Sequence, residues 1–296
     1  MWQRSRAALG HARLRYHNCG GEWLLRIFRY YNVEYGLKVL TDLEIRASIS
    51  TELNDPFELS PRIDAAQFGQ RRLEVLLRQD YRIDEAYRLE GRQRGFSSKK
   101  EFKRWYLKDV PRRAAERLPK VRKNVEAERR KFAVRFDKYW RLICASQVHD
   151  SVLMWSHYAD KHKGLVLGFD TSQPPFSKIP NDCLLTVKYS DKKPNYVHSH
   201  KEREFRRNMF AVAASKAIFW SYEKEIRIVL IPDPPIRDGR FLRLAPESIA
   251  AVYCGCRIAE ANKTAVQAAL KSPQLRHVEL WLATPDESEY ALKFDA

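Results

Sequence analysis

The chain is poor in glycine, with 11 in 296 residues. It has no glycine-rich Walker loop and no GxGxxG fingerprint, so the backbone cradle of the common nucleotide-binding α/β folds is missing. Any nucleotide is expected to be held by side chains. Cysteine is scarcer still, with five: Cys19, Cys144, Cys183, Cys254 and Cys256. The number is odd and no pair shows the two-residue gap of a zinc or redox site, so free thiols in a reducing cytoplasm are expected. No apolar run approaches the roughly 20 residues that cross a bilayer, so no membrane partner is expected. The opening stretch "MWQRSRAALGHARLRYHNC" has no acid before Glu22 and no continuous apolar core. It reads as a basic N-terminal extension over 1–22, not a secretory signal, with a transit-like amphipathic segment as the alternative. Internal repeats, a GxSxG elbow and regular βαβ alternation are also missing, and the last argues against a doubly wound sheet.

Positive charge is abundant: 54 Lys and Arg against 37 Asp and Glu, a formal net charge of +17. Such a field attracts nucleic acid, nucleotides or anionic surfaces, and a plain solvated basic surface is the alternative. The cations gather between Arg71 and Arg141, where helix formers and apolar residues at helical spacing predict three or so helices. Breaks are expected near Gly91 to Ser98 and at Pro111 and Pro119, giving a basic helical insert over about 66–138. Trp105, Tyr106, Phe132, Phe136, Tyr139 and Trp140 lie among these cations. That mixture occurs in single-strand binders, and the helical spacing equally suits a core.

The flanks alternate strands and helices. "LLRIFRYY", "VEYGLKVLTD" and "LEIRASIS" read as strand, helix and strand, followed by a turn around Asn54, Asp55 and Pro56. After the insert, "YWRLICASQ", "GLVLGFD", "CLLTVKYS", "GRFLRL", "IAAVYCGC", "HVELWLAT" and "YALKFDA" read as strands. "SVLMWSHYADK", "REFRRNMFAVAASKAI" and "TAVQAALKS" read as helices. The expectation is a single α+β domain over 23–296 with a mixed or antiparallel sheet.

Two stretches carry candidate chemistry. "FWSYEKEIRIVLIP" reads as a strand of period two ending at Pro232, with Glu223, Glu225 and Arg227 sharing one face. They are either a catalytic pair with a guanidinium beside it, or an ion-paired solvated face in which Arg227 and Lys216 neutralise the acids. "MWSHYADKHKG" read as a helix places Trp155 and Tyr158 on one side and His157, Asp160 and Lys161 on another, so His157 with Asp160 is an acid/base or metal-pair candidate. Asp55 and Glu58 of "NDPFE" would be the acids to complete a metal set. Ser146 and Ser156 have no elbow around them, and Cys144 sits in a strand expected to be buried, where a thiol is inert.

Three blocks also carry a resemblance. "RIFRYYNVEYGLKVLTDLEIRASISTELNDPFE", "CASQVHDSVLMWSHYADKHKGLVLGFD" and "KAIFWSYEKEIRIV" resemble the signature blocks of the bacterial family catalogued as domain of unknown function 2971, spanning Arg26 to Val229. Ala145 stands where that family usually has Phe between Cys and Ser. A looser similarity, in layout and residue type, is to ADP-ribosyltransferases, which cleave NAD at the nicotinamide glycosidic bond. It implies a split sheet, with NAD as substrate. By position, it places Arg29 or Tyr30 at the adenosine side of NAD and Ser48 or Ser50 beside the nicotinamide ribose. Glu225 would hold that ribose as it turns cationic, and Glu223 would orient or deprotonate the acceptor. Asn54, Asp55, Trp155, His157, Tyr158 and Arg227 are further site candidates. The functional expectation is NAD-dependent ADP-ribosyl transfer to a nucleic acid or protein target, in a toxin or phage-defence effector. The alternatives are a non-catalytic nucleic-acid-binding protein and a metal-dependent nuclease. No metal ligands are assigned.

Overall fold

Strand β1 (Arg26–Tyr31) shows how the sheet is covered on both faces. Its sequence RIFRYY sends Ile27 and Tyr31 into one core cluster and Phe28 and Tyr30 into another, as alternation in a strand requires. Helix α1 (Val33–Asp42) follows, started by Asn32, whose side chain accepts from the Tyr35 amide at 2.9 Å. Such a cap stabilises by about 1 kcal/mol. Gly36, Val39 and Leu40 form its buried face. Leu43, in the left-handed region at φ 52°, ends the helix and feeds the short strand β2 (Glu44–Arg46). The computed structural model describes residues 26–63, 69–70, 73–74, 76–91, 93–121, 125–196, 199, 201–231 and 240–296. The N-terminal extension, Cys19 and Pro232 lie outside the described residues.

The remaining strands are β3 (Arg141–Ser146), β4 (Leu165–Asp170), β5 (Leu184–Thr186), β6 (Lys188–Ser190), β7 (Ser215–Ala217), β8 (Glu225–Leu230), β9 (Phe241–Arg243), β10 (Ile249–Cys254), β11 (Glu279–Pro285) and β12 (Leu292–Asp295). Seven of them join β1 in one mixed eight-stranded sheet, in the order β12-β11-β10-β4-β1-β3-β8-β5. Its neighbours are antiparallel except for β10 with β11. β2 pairs with β9, and β6 with β7, in two small sheets. The α+β class and mixed sheet agree with the sequence reading.

One junction is weak. β1 pairs with β4 along six residues, and β3 with β8 along six, yet β1 and β3 share a single register pair, Phe28 with Ser146. The sheet opens there.

Further helices among the described residues are α2 (Asp80–Ala86), α3 (Lys99–Val121), α4 (Val125–Tyr139), α5 (Val152–Tyr158), α6 (Glu202–Ala213) and α7 (Glu260–Leu270). Contrary to the expected breaks, α3 runs through Pro111 and Pro119. Its stripe of Phe102, Tyr106, Val110 and Ala114, at intervals of four, packs on Leu73, Leu77 and Ile83. Burying a large side chain stabilises by about 1.5–3 kcal/mol, so this stripe outweighs the roughly 3 kcal/mol cost of an interior proline. Phe132 and Phe136 of α4 join Trp140 and the α6 residues Met209, Phe210, Val212 and Ala213 in a separate cluster against β3 and β8.

Tyr106, Phe132, Phe136 and Trp140 are thus core residues and offer no stacking platform. Trp105 lies beneath the guanidinium groups of Arg94 and Arg113, at 4.9 and 5.3 Å from the ring centroid. Several insert cations are neutralised locally, among them Arg82 by Glu85, Lys99 by Asp84, Lys103 by Asp80 and Arg113 by Glu90. Among the described residues, no helix is long and apolar enough to cross a membrane.

Three further boundaries differ from the sequence reading. "FWSYEKEIRIVLIP" is not one strand: Ile218–Glu223 forms a 3-10 turn, Lys224 is left-handed at φ 42°, and β8 starts at Glu225. "CLLTVKYS" divides between two sheets as β5 and β6. Helix α5 stops at Tyr158, and Asp160, Lys161 and His162 follow with φ of 45°, 54° and 70°. His157 and Asp160 therefore do not share a helical face. Gly164 closes that loop where a β-carbon would overlap the Tyr31 carbonyl oxygen.

Candidate active site

The left-handed Lys224 turns the chain so that Glu223, at the end of the 3-10 turn, and Glu225, at the start of β8, reach the same ammonium group. Lys216 Nζ, on β7, lies 2.6 Å from Glu223 Oε2, 3.2 Å from Glu225 Oε2 and 3.1 Å from Glu58 Oε1. Arg227, two residues along β8, is 0% exposed. It donates to both Glu225 oxygens, from Nε at 2.8 Å and Nη2 at 2.9 Å, and from Nη1 to the Ala213 carbonyl at 2.7 Å. Its Nη2 also pairs with Glu58. The glutamates do alternate with cations, but in a buried cluster and not on a solvated face. Three carboxylates meet two cations there.

Glu225 and Glu223 differ in their engagement. Both oxygens of Glu225 face cations, and its backbone amide donates to the Tyr189 hydroxyl at 2.7 Å. Glu223 accepts from Lys216 on one oxygen and, on the other, from the Tyr158 hydroxyl at 2.6 Å. That hydroxyl in turn accepts from Asn54 Nδ2 at 2.5 Å. The Glu223 carbonyl receives the Ser146 hydroxyl at 2.6 Å.

The environments push the two carboxyl groups apart. Burial opposes ionisation of Glu225, but Arg227 and Lys216 outweigh it and hold its pKa down to about 2. For Glu223 burial wins: it raises the carboxyl against the pull of Lys216 and Tyr158, with the Glu225 charge adding to the rise. Burial also raises the Tyr158 hydroxyl, which the Glu223 charge raises further. Burial and the Glu225 charge keep the Cys144 thiol protonated, in accord with an inert cysteine.

A pH prediction follows for stability. A carboxyl at 4.5 when unfolded and about 2 when folded contributes stability that is complete above pH 4.5 and lost as pH falls toward 2. Glu225 should contribute on the order of 3 kcal/mol to that acid-side loss. Glu223 works the other way, its contribution being lost as pH rises through its raised value. Urea unfolding across the acid range should show a shallower pH slope for Glu225→Gln than for the parent. Equal slopes would mean that Glu225 is not held in this way.

Above the cluster, in the opening between β1 and β3, lies a cavity of about 210 Å³. Phe28, Arg29 and Tyr30 of β1 and Cys144, Ala145 and Ser146 of β3 form its sides, with Ser48, Asn54 and Tyr158 at the rim and Lys216, Glu223 and Glu225 at the base. A larger groove of about 740 Å³ adjoins it along Arg29, Tyr30 and Tyr158, and also takes in Lys38, Arg46 and His157.

Of the residues singled out from sequence, Arg29, Tyr30, Ser48, Asn54, Tyr158, Glu223 and Glu225 line this one cavity. Arg29 donates to the Arg46 carbonyl at 3.0 Å, and Tyr30 to the Val148 carbonyl at 3.0 Å. Ser50 does not line it: its hydroxyl and amide bind Asp137 at 2.5 and 2.8 Å. Trp155 is core, its indole donating to the His149 carbonyl at 2.7 Å. His157 contacts the Tyr222 hydroxyl at 3.1 Å through Nδ1 and lines the groove. Neither Arg227 nor Asp55 lines the cavity; Asp55 lines a separate one. Among the described residues no group of three or more His, Cys, Asp or Glu is placed to hold a metal.

Sequence reasoning missed the pairing of Glu58 with Lys216 and Arg227, and the support from Tyr189. The available signal was the sequence blocks themselves: Asn54 and Glu58 come from one, Tyr158 from the second, and Lys216, Glu223, Glu225 and Arg227 from the third. No curated protein and no solved structure matches the chain. A family model described as "Protein of unknown function (DUF2971)" matches residues 154–228, the segment that supplies Tyr158, Lys216, Glu223, Glu225 and Arg227.

Proposed function

We propose that the cavity between β1 and β3 binds NAD and transfers its ADP-ribose to a nucleic acid or protein target. The observation that carries this reading is the convergence of Arg29, Ser48, Glu223 and Glu225 on one cavity where the sheet opens. The small cavity takes the nicotinamide riboside end. The adjoining groove, within the roughly 300–1,000 Å³ of small-molecule sites, takes the rest, with Arg29, Lys38 and Arg46 available to the pyrophosphate.

The C1′–N bond breaks with its electron pair leaving on nicotinamide, and positive charge grows on the ribose. Fixed carboxylates in a water-poor site stabilise that charge. Glu225 is fully engaged by Arg227 and Lys216, so it holds the ammonium in place, and the negative field comes from the excess of three carboxylates over two cations in the cluster. Glu223, with its raised pKa and its hydroxyl partner, receives the proton that the acceptor loses on attacking C1′. Such chemistry suits a toxin or phage-defence effector.

Calorimetric titration with NAD tests the reading. The parent protein should bind, and Arg29→Ala should weaken binding by about 10- to 100-fold, the loss of one or two charged hydrogen bonds. Absence of binding at millimolar NAD would overturn the reading and favour a nucleic-acid-binding role, recognised by steep salt dependence unaffected by Glu225→Ala.

A further inference from the structure

A second cavity, of about 230 Å³, backs onto the same Glu58 and Lys216 side chains from the other side. The NDPFE loop, Ser190 at the end of β6, Asp191, Lys192 and Lys193 after it, and Ser215 and Ala217 of β7 enclose it. Asp55, only 4% exposed, lines it. Its Oδ1 accepts from the Phe57 amide at 2.8 Å, while among the described residues its buried Oδ2 has no hydrogen-bond partner. Glu58 Oε1 has none either, although Lys216 Nζ lies 3.1 Å away. Lys193 does not serve these oxygens: it donates to the Ser60 hydroxyl at 3.1 Å and lies over the Phe57 ring.

Asp55 adds a fourth buried carboxylate to Glu58, Glu223 and Glu225, against the cations of Lys216 and Arg227. Buried polar atoms are ordinarily satisfied, and a buried carboxylate oxygen without a donor is costly. Glu58 Oε1 has the Lys216 ammonium as its counter-charge, whereas Asp55 Oδ2 on the same cavity wall has neither donor nor counter-charge and calls for a positively charged donor.

We propose that this cavity binds a small cation of the ammonium or guanidinium class, free or carried on a peptide side chain, between Asp55 and Glu58. A planar guanidinium offers several N–H donors in a fixed fork and can bridge two carboxylates, which suits this pair of acceptors. The proposal is independent of NAD at the other cavity.

The test is calorimetric titration of the full chain with agmatine, with a blocked Gly-Arg-Gly peptide and with butylurea, a neutral guanidinium mimic. Agmatine, the peptide or both should bind, and butylurea should not. Agmatine alone would identify a free amine as the ligand, and the peptide alone a side chain. Asp55→Asn removes one carboxylate, and Ala217→Met fills the cavity without touching a charge. Each should weaken binding at least about tenfold, with Arg29→Ala leaving it unchanged. If Asp55→Asn fails to fold, Ala217→Met decides alone. Absence of cation binding at millimolar concentration, equal binding of butylurea, or full binding by a folded variant would overturn the proposal.

Discussion

Replacing Arg227 with methionine is expected to destabilise the fold by about 3–5 kcal/mol, the cost of removing one partner from a buried ion pair. The guanidinium is fully buried and serves Glu225 twice, Glu58 and the Ala213 carbonyl. Without it, those two carboxylates keep only Lys216 within the cluster. Arg227→Lys should fall between parent and methionine variant, because one ammonium cannot reproduce the two-pronged contact with Glu225. Urea unfolding reads the effect as a lowered midpoint at constant slope. A cost below about 1 kcal/mol would place the pair with ordinary surface bridges and remove the cluster as the support of the site.

Glu223→Gln should separate catalysis from structure. On the proposed reading it lowers kcat by about 10²- to 10⁴-fold, the usual contribution of a positioned acid or base. NAD affinity should change little. The stability cost should be small, since glutamine is close in shape and the change removes one carboxylate from a cluster in which acids outnumber cations. Glu225→Gln, by contrast, takes the counter-charge from both Arg227 and Lys216 and should lower stability together with activity. The rate should rise with pH as Glu223 ionises at its raised value. Tyr158→Phe removes a donor to the ionised carboxylate, so it should move that rise to higher pH. Parent-level turnover in Glu223→Gln would eliminate this carboxylate as the acid or base. An unmoved pH profile in Tyr158→Phe would break its link to the hydroxyl.

Much of the element order was legible from local pattern. RIFRYY alternates as a strand covered on both faces must, VEYGLKVLTD starts after a capping Asn32, and LVLGFD is the continuous apolar run of a central strand. Where the reading failed, a contact from elsewhere had prevailed over local pattern. Pro111 stays helical because the face of α3 built on Phe102, Tyr106 and Val110 is buried. The strand expected from Phe219 begins only at Glu225, because Lys224 turns left-handed to bring Glu223 to Lys216.

The site was legible in its members more than in its arrangement. Glu223, Glu225 and Arg227 were visible as unusual charges in an apolar setting, and Lys216 as a counter-charge. Their burial was not visible, nor was Glu58 as the third acid, because it reaches Arg227 across 169 positions of chain. Ser48 and Ser50 are equivalent by position, and only the fold distinguishes them: Asp137 of α4 captures Ser50, while Ser48 stays at the cavity.

The sequence by itself determined the α+β class, most of the strands, the large positive charge and the residue types available for chemistry. These follow from periodicity, capping and composition, which act over a few neighbouring residues. Tertiary structure alone decided that β1 and β3 part after a single register pair, that the glutamates are buried, and which cations they meet. Pairing and desolvation depend on segments far apart in the chain, and local pattern carries no measure of the distance between them.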